Sequence, residues 1–96
     1  MDEEEKLAVA LQYKIETPAP KVIAKGKGYL AELILRIAKN HNIPIKRDSK
    51  LVKELYKLEI NHPIPPELYK AVAIILAWAY DVNQKFKEKI LKNFSF

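Results

Sequence analysis

The chain has 96 residues, of which 49% are hydrophobic and 30% are charged, and its formal net charge is +5 at pH 7. This length fits one domain with one modest core. The sequence contains no cysteine, which excludes a disulfide framework and a thiolate metal site. The longest apolar run, residues 71–80, would rise only about 15 Å as a helix, roughly half the thickness of a bilayer core. We therefore expect a core helix there and no membrane insertion.

The chain starts with a charged lead-in, residues 1–6, which lacks the basic start and the apolar core of a secretion signal. The side chains that follow alternate between two sets: Leu7, Val9, Leu11 and Tyr13 on one side, and Ala8, Ala10 and Gln12 on the other. A period of two predicts a strand over residues 7–13. We expect its small-residue side to lie beneath a helix.

A proline-bearing connector, residues 14–20, follows the first strand. Pro18 and Pro20 fix their own φ angles and restrain the residues before them, so the connector is extended and stiff. We expect it to be exposed, and it is either a binding segment or a plain rigid crossover. Residues 21–26 then read as a second strand. Gly26 and Gly28 permit a positive φ or a close approach of another chain at its end.

The first helix is predicted over residues 28–41. An apolar stripe recurs at helical spacing: Leu30, Leu33, Ile34, Ile37 and Ala38. His41 is a helix-end residue, Asn42 suits the left-handed position after a helix, and Pro44 prevents continuation.

The second half of the chain is predicted to contain a short strand and two helices. Residues 43–46 form the strand. A helix over residues 49–58 is capped by Asp48 or Ser49, with these residues inward: Leu51, Val52, Leu55 and Tyr56. Residues 60–65 form a turn-rich link with a residue or two of strand.

The last helix is predicted over residues 66–90, starting at prolines. Its first half is apolar almost all round, which indicates the central helix of the core, and residues 84–96 form a basic tail. The whole pattern predicts a single α/β domain over residues 1–96. It has a small mixed β-sheet of three to four short strands flanked by three main helices.

The sequence contains no convincing catalytic or metal-binding pattern. The hydroxyl candidates, Thr17, Ser49 and Ser95, lie outside any nucleophile elbow. Two histidines, His41 and His62, with scattered acids do not suggest a metal site. The glycines around Lys27 match a phosphate-binding loop only weakly, and turn geometry explains them better. We therefore expect neither an enzyme nor a cofactor.

Basic residues form two clusters: Lys46, Arg47, Lys50 and Lys53 in mid-chain, and Lys85, Lys87, Lys89 and Lys92 near the end. A basic balance is compatible with a small nucleic-acid-binding domain, which we keep as the alternative function. A lysine-rich solvated surface is the favoured interpretation, because arginine, the residue best suited to base and phosphate recognition, is scarce.

Four segments, residues 8–11, 19–26, 41–45 and 64–73, resemble in order the cytoplasmic C-terminal domain of the flagellar export-gate protein FlhB and its injectisome relatives. The resemblance implies a non-enzymatic component of the type III export gate. It would be cytoplasmic and peripheral at the inner face of the inner membrane. It would bind rod- and hook-class flagellar export substrates or other gate components and act in the switch of substrate specificity. No nucleic acid partner is expected.

Two departures from the family are visible. Full-length members carry membrane helices upstream, which this chain lacks. They also cleave themselves at an Asn-Pro-Thr-His turn, where this chain has Glu3, Glu4, Glu5 and Lys6. The resemblance therefore suggests a free-standing form of the downstream cleavage fragment that does not cleave itself.

The resemblance also suggests two binding sites. The apolar substrate patch of the family falls on Ala19, Pro20, Lys21, Ala73 and Leu76. The helical pair Ala73 and Leu76 could equally be core. In the family, a strand before the cleavage turn pairs with the strand after it, so here the first strand would leave an open edge. That edge, at Leu7, Val9 and Leu11, could accept a strand of the truncated gate protein.

Overall fold

The computed structural model describes residues 6–14, 16, 19–82 and 94–95. Two strands come first, β1 (Leu7–Tyr13) and β2 (Lys21–Lys27), followed by the helices α1 (Tyr29–Asn40) and α2 (Ser49–Tyr56). A 3-10 turn (Pro66–Leu68) leads into α3 (Tyr69–Val82), and a two-residue strand, β3 (Phe94–Ser95), ends the described part. The predicted mixed α/β class with three helices is confirmed.

The sheet is an antiparallel pair of β1 and β2, and β3 adds two residues beside the end of β1, at Gln12 and Tyr13. Ala10 lies opposite Ala24 but Leu11 lies opposite Val22, so one extra residue of β2 forms a bulge. The expected sheet of three to four strands is not confirmed, because only β1 and β2 pair along most of their length. In particular, residues 43–46 form an irregular segment instead of the predicted strand. Pro44 there has no N–H to donate to a ladder, and its side chain is buried.

The small-residue face of the sheet lies beneath α1, as predicted. Ala8 pairs with Gly26 on this face, and Ala8 is buried. A Cβ on Gly26 would stand 2.7 Å from Leu30 Cβ, so the helix starts in direct contact with the strand backbone. Glycine is required here by this close approach, whereas Gly28 is required by its φ of 60°.

The buried side of α1 agrees only in part with the predicted stripe, of which Ala38 is buried and Leu33 and Ile34 are half-buried. Ala31 and Ala38 are buried, whereas Leu30 and Ile37 are 55% and 49% exposed. Because the sheet offers only small side chains here, the helix lies close to it and alanines fill the contact. The larger residues lie on the flank of the helix.

The opposite face of the sheet forms the main core. Leu11 and Val22 lie opposite each other on β1 and β2. They pack in one cluster with these residues from α2, the following link and α3: Leu51, Leu55, Ile64, Val72 and Ile75. Burial of this apolar surface is the main stabilising contribution to the fold.

Local signals set the helix ends. The Asp48 carboxylate accepts a hydrogen bond from the Leu51 N–H at 3.0 Å, so Asp48 and not Ser49 is the N-cap of α2. After α1, Asn42 takes a φ of 59°, and the Ile43 N–H donates to the Ala38 carbonyl at 2.9 Å. Asn42 thus holds the left-handed position that the sequence predicted, and the hydrogen bond from Ile43 makes this a Schellman end.

α3 is not the central helix that its composition suggested. Val72, Ile75 and Ala79 are buried, but Ile74 is 62% exposed and Ala73 is also exposed. The helix therefore lies on the outside of the core, with one apolar face turned to solvent. The predicted continuation to residue 90 falls outside the described residues. Within the described part of the chain, no helix combines the length and the apolar character that a bilayer crossing needs.

Candidate partner-binding site

The segment around Pro20 is held by the link that precedes α3. The Ile64 N–H donates to the Pro20 carbonyl oxygen at 2.9 Å, and the Asn61 N–H donates to the Val22 carbonyl oxygen at 2.7 Å. Lys21 and Pro63 form an isolated antiparallel bridge between these two hydrogen bonds. The expected residue or two of strand in the link is therefore present at Pro63, and it covers the outer edge of β2 at its start.

This pairing changes the exposure expected for the connector. Ala19 is only 8% exposed, so the prediction that it lies on the surface is wrong. The physical reason is that its neighbours are tied to the 61–64 link, which presses this part of the connector against the domain. Pro20 and Lys21 are half-buried and retain surface that another molecule can touch.

Ala73 and Leu76 lie on one side of α3, since residues three apart on a helix are neighbours. Ala73 is exposed, whereas Leu76 is half-buried and packs against the main core cluster. Of the two predicted alternatives for this pair, core or surface patch, Leu76 is partly core and Ala73 lies on the surface.

The two halves of the predicted patch are attached to the same core cluster. Ile64, whose N–H binds Pro20, is buried in the same cluster as Val72 and Ile75 of α3. The stiff connector and α3 are thus anchored to one packed unit, from which Pro20 and Ala73 reach the surface.

Two apolar side chains on the outer side of α3 were not predicted to be exposed. Tyr69 is 44% exposed and Ile74 is 62% exposed. A run of ten apolar residues carries no sign of which side faces outward. Only the polar residues that flank the run, Lys70 and Asp81, which are both exposed, could have indicated the outer side.

The first strand presents a backbone edge and not a row of exposed side chains. Leu11 is fully buried, and Leu7 and Val9 are half-buried. β1 pairs with β2 along residues 7–12 and with β3 at Gln12 and Tyr13 only. Among the described residues, no strand pairs with the second edge of β1 from Leu7 to Leu11. Contact by a partner strand would therefore use the backbone.

Two other expectations concern the residues at the position of the cleavage turn and a metal site. Glu3, Glu4 and Glu5 lie outside the described residues, and the carbonyl oxygen of Lys6 accepts from the Gly28 N–H at 2.8 Å. In the described part of the chain, no three side chains of His, Cys, Asp or Glu come together as metal ligands.

Comparison with known proteins identifies the family. The model of the FlhB HrpN YscU SpaS Family matches residues 4–79, most of the chain. The chain belongs to this family. FlhB, the flagellar biosynthetic protein of Helicobacter pylori, is 45% identical over 87 residues, which cover 88% of this chain and 24% of that protein. The Bacillus subtilis protein YlqH, described as uncharacterized, is 40% identical over 83 residues, which cover 85% of this chain and 89% of YlqH.

Solved structures from the FlhB HrpN YscU SpaS Family have the same fold. A mutated EscU/SpaS C-terminal domain superimposes with a TM-score of 0.76 at 33% identity, covering 79% of this chain and 96% of that one. The PscU C-terminal domain gives a TM-score of 0.72 at 32% identity, covering 76% and 95%. The chain spans about a quarter of the length of the FlhB relatives that it matches. The matches identify this chain with the C-terminal domain of type III export-gate proteins.

Proposed function

We propose that this domain acts in flagellar type III export by binding, and that it catalyses no reaction. Its contact surface for export substrates is formed by Pro20, Lys21, Ala73 and Leu76, next to the buried Ala19. The rod and hook class is the substrate class that this surface takes, and binding there contributes to the switch of substrate specificity. The domain works in the cytoplasm at the inner face of the inner membrane.

One observation carries this proposal: a stiff proline segment and an exposed alanine of α3 are anchored to the same core cluster. Pro20 has little conformational entropy to lose when a partner binds. The side chain of Ala73 is a single methyl group, so an apolar segment of a partner can approach α3 closely at this position. Leu76 and the exposed Tyr69 provide further apolar surface on α3.

The experiment compares two alanine-to-aspartate variants on α3. Ala73→Asp places a carboxylate in the proposed surface, and Ala71→Asp places one on another side of the same helix at an exposed position. We expect Ala73→Asp, and likewise Pro20→Asp, to weaken binding of a purified rod- or hook-class substrate about tenfold, or about 1.4 kcal/mol. Ala71→Asp should leave it unchanged. If the Ala73→Asp and Ala71→Asp variants bind the substrate with equal affinity, this surface is not the substrate-binding site.

The free edge of β1 is the proposed site for a second partner. A gate protein truncated at the asparagine of its cleavage turn ends in a strand, and that strand can add to β1 from Leu7 to Leu11 through main-chain hydrogen bonds. This interaction is tested by mixing the two purified proteins. Complex formation at micromolar concentration is expected, and a proline in the last strand of the gate protein should abolish it. Absence of a complex with the unaltered gate protein contradicts the proposal.

A cellular test addresses the function as a whole. The chain is expressed in a flagellated host that lacks the C-terminal half of its own gate protein, and motility is scored together with capture of export substrates. Restored motility and captured substrates are expected, and Ala73→Asp should reduce both. If the Ala73→Asp variant, present at normal protein levels, reduces neither motility nor substrate capture, the proposed substrate surface is contradicted.

A further inference from the structure

The outer side of α2 and the residues before it carry a row of cations. We call this set the α2 cation row: Lys46, Arg47, Lys50, Lys53 and Lys57. All five side chains are exposed. Lys50, Lys53 and Lys57 recur at intervals of three and four residues, so they share one side of the helix. The buried residues of α2, Leu51 and Leu55, lie on another side. We propose that the α2 cation row binds an acidic segment of a partner protein.

The charges of the row are only partly neutralised within the domain. Among the described residues, no carboxylate forms an ion pair with Arg47, Lys50 or Lys53. Glu54 pairs with Lys57 at 3.7 Å, and the Asp48 carboxylate accepts from the Leu51 N–H. Like charges along one helix face repel each other. An anionic partner therefore gains attraction along the whole row without displacing strong internal ion pairs.

The row is held in place at both ends. Lys46 Nζ stands 5.0 Å from the centroid of the Trp78 ring on α3, which favours one position for this cation. At the other end, Lys25 Nζ donates to the carbonyl oxygens of Tyr56 and Leu58. The helix that carries the lysines is thus fixed to the sheet and close to α3, so the spacing of the cations is set before a partner arrives.

The composition of the row favours a peptide over a phosphate-bearing partner. Two carboxylates, Asp48 and Glu54, are interleaved with the cations, and they would repel a continuous line of phosphates, whereas a peptide can leave gaps opposite them. Four of the five cations are lysines, which bind as point charges and lack the bidentate fork that suits phosphate. The two aromatic rings next to the row, Tyr56 and Trp78, are each half-buried and faced by a lysine, Lys25 and Lys46 respectively. Neither ring is therefore an open stacking platform for bases.

The helical part of the row gives the minimum length of the acidic segment. Lys50 and Lys57 are seven residues apart, which corresponds to about 10.5 Å along the helix axis. Two turns of an acidic helix, or about three to four residues of extended chain, span this distance. A short acidic segment is therefore sufficient to contact the helical part of the row.

The test uses a fluorescein-labelled peptide of about ten glutamates as probe, with binding followed by fluorescence anisotropy at low ionic strength. The double variant K50E/K53E reverses two charges within the row. The double variant K39E/K70E reverses two exposed lysines on α1 and α3 and changes the net charge equally. We expect K50E/K53E to weaken binding about tenfold or more, and K39E/K70E less than about threefold, since exposed pairs contribute modestly at large separation.

Three results would overturn the proposal. One is equal weakening by the two double variants, which would indicate a response to net charge alone. Another is row-dependent binding that is tighter for a single-stranded oligonucleotide with ten phosphates, or for phosphatidylglycerol vesicles, than for the peptide. A third is no binding of the peptide at low ionic strength. Circular dichroism checks that K50E/K53E is folded. If K50E/K53E is not folded, K50Q/K53Q, which removes the two positive charges without adding negative ones, replaces it in the comparison.

Discussion

Lys25 offers the sharpest test of how the sheet holds α2, and the substitution Lys25→Met isolates its ammonium group. Lys25 Nζ donates to the carbonyl oxygens of Tyr56 and Leu58 at 2.9 and 2.7 Å, and it stands 5.2 Å from the Tyr56 ring centroid. Methionine keeps much of the apolar stem but provides no donor. The carbonyl groups at the end of α2 therefore lose a charged partner.

The expected magnitude follows from these contacts. A hydrogen bond to a charged group contributes about 1.5–3 kcal/mol, so two set an upper range of roughly 3–6 kcal/mol. Because Lys25 is half-buried, hydrogen bonds from water to the two carbonyl oxygens replace part of this stabilisation when the ammonium group is removed. We expect the free energy of unfolding to fall by about 2–3 kcal/mol, which lowers Tm by about 10–20 °C for a domain of this size.

The assay is urea denaturation followed by circular dichroism, with Lys50→Met as the matched control. Lys50 is exposed on the same helix, and its substitution should change stability by less than about 0.5 kcal/mol. Amide exchange should also speed up at the end of α2 in Lys25→Met. Equal stability of the two variants would refute the reasoning that Lys25 fastens the helix to the sheet.

Three further substitutions test the packing. Gly26→Ala would place a Cβ 2.7 Å from Leu30 Cβ and should cost about 1–3 kcal/mol in a urea melt; unchanged stability would mean that α1 shifts freely. Asn42→Ala, at a φ of 59°, should cost about 1 kcal/mol, and Asn42→Gly should not. Ile74→Asp should leave the domain folded, whereas Ile75→Asp should unfold it; the reverse result would contradict the orientation of α3.

Features that depend on near neighbours in the chain could be predicted from the sequence. The alternation of residues 7–13 predicts β1 with the bounds that the structure has. Asp48 caps α2, and Asn42 ends α1 in the left-handed region. In each case the decisive interaction lies within about four residues, so the local sequence contains the information.

Predictions failed where distant segments compete for the same contact. Residues 43–46 look like a strand, but in the described structure they pair with no strand, and the Pro44 side chain is buried instead. Ala19 looks exposed, but the 61–64 link encloses it. The apolar stripe of α1 was only partly correct, because the nearest sheet surface is made of small residues. The helix buries Ala38, as predicted, and also Ala31, whereas Leu30 and Ile37 are exposed.

The candidate site shows the same division. The resemblance to the family indicated Pro20, Ala73 and Leu76, but it could not tell surface from core for the helical pair. Tertiary packing places Ala73 outward and Leu76 partly inward. The position of the α2 cation row beside Trp78 was also beyond sequence reasoning, since more than thirty residues separate Lys46 from that ring.

The sequence by itself determined the α/β class, the first strand, the end of α1, the start of α2 and the family, because each depends on local periodicity, capping chemistry or ordered motifs. Only the tertiary structure decided which side of α3 faces solvent, which segment covers the edge of β2 and how close α1 lies to the sheet. The physical reason is that an apolar run can be buried on any side. The choice is made by the shape and size of the side chains that distant segments bring against it.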